Sequence, residues 1–313
     1  MNNEKTELRT VDAIVEAEGI LSEKNLERTL DADGKEIIKG SLSLKVSDIN
    51  FITFNVYVGK YTKEGKESSA FPGIETVLNE YQSIADVGIE NATRVRVSRG
   101  QLQPQTYISR RTNNPEIGVR YSSNFFNRID PSHELEPKAE FTIEGYVNAI
   151  APEVDQEGTE TGRLKVTILV PTYAGIEPFV FIVPEDLADG FTGIYEPGMT
   201  GKFYGDLINN VIIKEEVVKM AIGKDKIKKR KEPTIERVLT GAENPYEEDT
   251  PLAFSADVIR KAMTDRELRI DEMKRKAANK DATAANPSLN KSTSGREMPK
   301  PKFTSAFTGA GVY

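Results

Sequence analysis

The sequence contains no cysteine. Disulfides, cysteine-ligated zinc and thiol nucleophiles are therefore excluded. Histidine is nearly absent too. Its one copy, His133, stands in a polar stretch between Pro131 and Pro137, with no evident partners for a nucleophilic triad. No apolar run approaches the roughly 20 residues that span a bilayer. The first ten residues are polar and charged, so neither a membrane segment nor a secretion signal is expected, and the expected setting is the cytoplasm. Gly65-Lys66 lacks the upstream glycine of a phosphate-binding loop, since Lys60 stands at that position, and it is followed by Glu67, so it is not one. Asp31-Ala32-Asp33-Gly34 lacks the glutamate that closes a calcium loop. No metal, no cofactor and no enzymatic activity are expected.

Hydrophobic residues are also scarce, at 38%, against about 45–50% in globular domains. Part of the chain is expected to pack no core, and the deficit falls after about residue 280. The net charge is −7. As an average it weighs against phosphate binding, but a basic cleft can coexist with acidic surface elsewhere.

What the sequence does contain is an internal repeat. Val15-Glu16-Ala17-Glu18-Gly19-Ile20-Leu21 matches Phe141-Thr142-Ile143-Glu144-Gly145-Tyr146-Val147. Each run enters a polar, acidic stretch and emerges at a glycine followed by alternating apolar residues, at residues 40–46 and 162–168. A third strand-like run follows each, at 52–58 and 179–183. Then comes a helical insert, over 73–85 in the first copy and 184–189 in the second. A fourth strand is expected at 93–102 and 199–208. A fifth is expected at 105–110 or 119–121 in the first copy, and at 211–220 in the second. Asp33-Gly34 reads as a hairpin turn. Gly19, Gly145, Gly100 and Gly205 mark points where a strand must bend.

The order β-β-β-α-β-β, twice, predicts a mainly β chain with two tandem five-stranded barrels of the OB type, each with a helical insert between strands three and four. The expected divisions are a first barrel over 1–130, a second over 131–222, a basic then acidic linker over 223–254, a C-terminal helix over 255–278 and a disordered tail over 279–313. A different pair of β-barrels or one larger β-sandwich would alternate in the same way.

Single strands of nucleic acid are held by aromatic platforms inside a positive groove. Arg94, Arg96, Arg99, Arg110, Arg111, Arg120 and Arg128 crowd into the fourth and fifth strands of the first copy, opposed only by Glu116 before Asp130. Tyr107, Tyr121, Phe125 and Phe126 interleave with them. Period-2 alternation assigns Phe54, Val56 and Val58 to the core and sets Tyr57 and Tyr61 on the other face. The expected binding residues are therefore Tyr57, Tyr61, Arg94, Arg96, Arg99, Tyr107, Arg110, Arg111, Arg120 and Tyr121. Lys202 and Tyr204 are a second, less basic set in the second copy, where Tyr173 is a further aromatic. Each aromatic could equally be a packing residue.

The basic run Lys224-Asp225-Lys226-Ile227-Lys228-Lys229-Arg230-Lys231 reads as a solvated tether able to touch phosphates, or as a plain linker. The acidic segment 245–254, opening with Pro245 and closing with Phe254, is a candidate for docking replication or recombination proteins, or for occupying an empty nucleic-acid groove. It could equally lead into the next helix. Ser255 suits an N-cap. Ile259, Met263, Ile270 and Met273 fall near heptad spacing, interrupted by Arg266, so a partner helix or homo-oligomer contact is left open. The tail composition is that of disorder.

With the repeat laid out, the chain resembles the tandem OB-fold single-stranded-DNA-binding proteins of bacteriophages and mobile elements of Gram-positive bacteria. The resemblance rests on Glu18-Gly19, Gly40-Ser41-Leu42, Arg99-Gly100-Gln101-Leu102, Glu144-Gly145-Tyr146 and Gly162-Arg163-Leu164, and covers roughly residues 11–222. It implies sequence-tolerant binding and protection of single-stranded DNA during replication or recombination, in the host cytoplasm if phage-encoded. Bacterial proteins of this kind typically end in an acidic tip, which this chain lacks. Two other readings fit the sequence: a virion or scaffold component using the barrels for protein contacts, and an RNA-binding protein.

Overall fold

The computed structural model describes residues 8–155, 157–218 and 226–285; within these, the side chains of 211–218, 226–233 and 279–285 are not described. The first repeat supplies β1 (Ala13–Leu30), β2 (Glu36–Lys45), β3 (Phe51–Gly59), α1 (Phe71–Glu80), α2 (Ile84–Val87), β4 (Arg94–Ile108), β5 (Pro115–Ser122) and the short β6 (Asn127–Arg128). The second supplies β7 (Lys138–Val154), β8 (Glu160–Thr172), β9 (Gly175–Val183), α3 (Glu185–Thr192), β10 (Thr200–Val218) and β11 (Lys226–Ala242). A long helix, α4 (Ala256–Ala285), follows.

Both repeats close in the same way. In the first, β1 pairs antiparallel with β2 and β4, β2 with β3, and β4 with β5, and a parallel contact between β3 and β5 completes the ring. In the second, β7, β8, β9, β10 and β11 repeat the scheme, again with one parallel contact, Val238 to Ile182. This is the five-stranded barrel expected of an OB-type fold. The barrels are also joined to each other. The first halves of β1 and β7 pair antiparallel, from Ala13↔Ile143 to Glu18↔Lys138, so one sheet runs through both.

The Glu-Gly repeat marks where the first strand of each barrel changes partners. β1 pairs with β4 up to Ile20 and with β2 beyond it. β7 pairs with β10 up to Tyr146 and with β8 beyond it. The chain crosses so closely there that only a glycine fits. A Cβ on Gly19 would stand 2.4 Å from the Lys45 carbonyl oxygen, and one on Gly145 2.7 Å from that of Leu169.

Alternating residues fill the barrels. Ile52, Phe54, Val56 and Val58 of β3 are buried with Leu42, Leu44, Val95 and Val97, while Tyr57 faces out. Phe71, Ile74 and Val77 of α1 close the base of the first barrel. Lys24 of β1 caps that helix by donating to the carbonyls of Leu78 (2.8 Å) and Tyr81 (2.6 Å), where a cation meets the negative end of the helix. Phe141, Phe179, Phe181, Phe191, Tyr195 and Phe203 form the aromatic core of the second barrel.

Several boundaries differ from expectation. The helix expected over 73–85 is the pair α1 and α2. Residues 105–108 continue β4, so the fifth strand of the first barrel is β5. Residues 211–218 continue β10, and the fifth strand of the second barrel is β11. The second barrel therefore does not end at 222, and much of the expected linker is strand. Residues 226–231 show no apolar alternation because this ribbon is held by backbone pairing to β10, from Val218↔Lys226 to Phe203↔Ala242. Lys224 and Asp225 lie outside the described residues. α4 runs to Ala285, past the expected end at 278, and residues 286–313 of the expected tail lie outside the described residues.

The segment 245–254, expected to dock partners, packs on its own barrel. The Tyr246 and Phe254 amides donate to the Thr200 carbonyl (2.8 Å) and hydroxyl (2.9 Å), and Phe254 is buried. Arg9 lies over both rings and donates to the Leu252 carbonyl. α4 then lays Ile259, Ala262 and Ile270 inward, where Ile259 and Ala262 meet Leu169 and Ile176 of the second barrel. Ile259 and Met263, the first half of the near-heptad stripe, thus pack in cis. The interrupting Arg266 is the anchor: with Arg269 it grips Glu177, which also accepts from Thr106 of β4 at 2.5 Å. One buried cluster ties α4, the second barrel and the first together. No described helix is long and apolar enough to cross a membrane.

Candidate nucleic-acid interface

The outer face of β3, β4 and β5 is built by alternation. Leu102 and Thr106 of β4 turn inward, while Gln101, Gln103, Gln105 and Tyr107 are exposed. Their partners across the ladder are Ser122, Arg120, Gly118 and Glu116. Asn55 of β3 sits beside Ser122 and donates to the Tyr121 carbonyl. An irregularity where β1 pairs with β4, between Val15 and Ala17, leaves Ser98 and Arg99 both exposed before Gly100.

These residues border a concavity of about 290 Å³, lined among others by Asn55, Tyr57, Arg99, Gln103, Arg120 and Phe125. Tyr57 is 61% exposed and Phe125 58%. Among the described residues neither Arg99 nor Arg120 has a carboxylate partner and no acid lines the hollow. Further along the same face Tyr107 lies against Gly118, where a Cβ would come within 3.1 Å of the ring. Its hydroxyl donates to Glu116, the one acid on this part of the face, and that bond pushes the phenol up. Glu116 also accepts from Thr112, and Arg110 and Arg111 are exposed at the turn beyond.

The expected set therefore divides. Tyr57, Arg99 and Arg120 come together. Tyr107, Arg110 and Arg111 lie at the far end of the same β4–β5 hairpin, and Tyr61 is exposed past the end of β3. The other five stand elsewhere. Arg94 donates to the carbonyls of Pro131 and His133, holding the connection between barrels. Arg96 bonds Glu18 at 2.6 Å. Glu18 is only 1% exposed and also accepts from the Glu136 amide. Burial pushes its carboxyl up, but the bonds from Arg96 and Glu136 outweigh this and hold it below its usual value.

Tyr121 faces inward, opposite Leu102, and packs on Phe54. Burial raises its phenol, opposed by the neighbouring Arg237 guanidinium. Arg237 comes from the second barrel and lies 4.3 Å over the Phe179 ring. Tyr121 is therefore part of the joint between barrels. Lys202 and Tyr204 sit together on the second barrel, on the side covered by residues 243–254, and the Tyr204 hydroxyl is bonded to Glu243.

Alternation did not place Phe125, because it lies in a loop. The only signal was the pair Phe125-Phe126, of which a short loop can bury one; Phe126 is buried against Phe54. Among the described residues no group of three or more His, Asp or Glu side chains converges as a metal site would require.

The chain is similar to the single-stranded DNA binding protein from Thermus aquaticus, with 11% identity, a TM-score of 0.45, and coverage of 76% of this chain and 95% of that one. A deletion mutant of that protein matches at 11% identity and a TM-score of 0.44, over 77% and 98%. A replication protein A heterotrimer bound to single-stranded DNA matches at 9% identity and a TM-score of 0.18, over 78% and 68%. No curated protein matches the chain. The YorF family model spans residues 13–276, well over half of the sequence, and the chain is a member of the YorF family.

Proposed function

We propose that this protein is a non-enzymatic, sequence-tolerant binder of single-stranded DNA that protects exposed strands during replication or recombination in a bacteriophage or mobile-element setting. One observation carries the reading: the hollow on the first barrel, where exposed Tyr57 and Phe125 stand beside the guanidinium groups of Arg99 and Arg120, with no acid and no carboxylate partner there among the described residues. Aromatic faces stack any base, and cations meet phosphates whatever the sequence. The neutral amides and hydroxyls between them, Asn55, Gln103 and Ser122, add hydrogen bonds without repelling an anion.

A fluorescence titration of labelled oligo-dT at two salt concentrations tests this, with duplex DNA and oligo-U as competitors. Tight, salt-weakened binding to oligo-dT, poorly displaced by duplex, is expected. Salt-independent binding, or none, sinks the reading. Stronger competition by oligo-U than by oligo-dT would move the ligand to RNA.

A further inference from the structure

β1 stops pairing with β4 at Ile14↔Gln101, so from there onward that edge of β4 has no strand partner among the described residues, and Thr106 farther along it is held by Glu177 of the second barrel. Pro104 suits such an edge, since it has no N–H to pair. Beside that edge a cleft of about 940 Å³ separates the barrels. It shares Arg99, Gln101, Gln103 and Phe125 with the hollow on the first barrel, so the two are continuous. On its far wall is the β8–β9 turn, with Tyr173.

Tyr173 is unusual among the aromatics. It is fully exposed, and no ring contact or hydrogen bond of its side chain is found among the described residues. Yet the turn that presents it is held firmly. Thr172 and Gly175 pair across it, the Thr172 hydroxyl donates to the Gly175 carbonyl at 3.1 Å, and it accepts from the Ala174 amide. Two residues past Gly175, Glu177 bonds Thr106 of β4, so the turn is fixed relative to the glutamine row. A bare aromatic on a rigid turn, facing a cleft that opens from a cationic hollow, is placed to meet a planar ligand.

We propose that the bound strand continues past Arg99, along Gln101, Gln103 and Gln105, and into the cleft between the barrels, where a base stacks on Tyr173. This rests on the single-strand reading above and assigns the strand its path. The glutamines repeat every second residue, about 6.7 Å apart, a spacing suited to successive unstacked nucleotides. Arg9 and Asp12 also line the cleft. Arg9 is committed to Glu144 at 2.6 Å, whereas Arg99, at the entrance, has no carboxylate partner among the described residues.

The chain has no tryptophan, so Tyr57→Trp and Tyr173→Trp each install a single fluorescent indole at an exposed site. The full chain carrying either change is titrated with oligo-dT of about 20 nucleotides, long enough to cross more than one barrel. Quenching of both reporters is expected. In parallel, Tyr173→Ala is expected to weaken the 20-mer by about tenfold and leave an oligomer of about 8 nucleotides unaffected, with Tyr173→Phe restoring the difference. Quenching at position 57 alone, with Tyr173→Ala silent, overturns the path and leaves the first-barrel site standing. No response from either reporter overturns both.

Discussion

With the two barrels in register, Gly100 of the first falls on Gly205 of the second, since each faces the residue four before the shared Gly19 or Gly145. Gln101 then corresponds to Asp206. Across the ladder, Arg120 corresponds to Glu236, and Tyr121 to Arg237. The hollow of the first barrel is thus rebuilt in the second with acids. Glu236 is already taken by Arg163 at 2.9 Å, and Asp206 is raised above its usual range by burial and by nearby Glu140. The second barrel instead uses its surface for cohesion, holding residues 243–254, Arg9 and α4. One topology serves two purposes because closing the ring depends on inward residues and glycines, which leaves the outward ones free to diverge.

The largest expected effect tests the joint between the barrels. Glu177 is 2% exposed and satisfies Arg266, Arg269 and Thr106 together. Glu177→Ala leaves those cations without their carboxylate and should cost about 3–5 kcal/mol, read as a lowered denaturation midpoint. An unchanged midpoint would mean that the barrels cohere without this cluster.

Arg99→Ala with Arg120→Ala should weaken oligo-dT binding by about a hundredfold and reduce the slope of log K against log salt by about 1.4. Lys202→Ala, on the second barrel, should leave the slope unchanged. Equal effects from the two sides would erase the distinction drawn between the barrels. Tyr57→Ala should cost about tenfold in affinity, measured in the same titration, whereas Tyr204→Phe should cost nothing.

The smallest effect concerns acid. The Glu18 carboxyl is held below its usual value when folded, so its contribution to stability is complete above the unfolded carboxylate pKa and disappears as pH falls through the folded value. Unfolding followed from pH 7 down to 3 should show a loss that Glu18→Gln diminishes. Its counterpart Glu144 pairs with Arg9 from outside the barrel, so the two matching positions of the repeat brace different segments.

Much of the fold could be read from the chain because barrel strands announce themselves by alternation and glycines by position. Phe54 inward and Tyr57 outward follow from period 2 alone. β11 escaped that reading because its first half carries charge at nearly every position. Among the site residues, alternation could say that Arg94 and Arg96 share a face, but not that linker carbonyls and buried Glu18 would claim them. Arg266 looked like a flaw in a helical stripe, and Glu177, 89 residues away, makes it the anchor.

By itself, then, the sequence determined the duplicated strand order, the bends at Gly19 and Gly145 and the inward sets of the strands, since these depend on local stereochemistry and near neighbours. Only the tertiary structure decided which arginines remain unpaired, that Tyr121 belongs to the joint, and that Phe125 and Tyr173 face the same continuous cleft. The reason is that a charge or a ring is defined by what surrounds it, and here those surroundings come from strands and loops far apart in the chain.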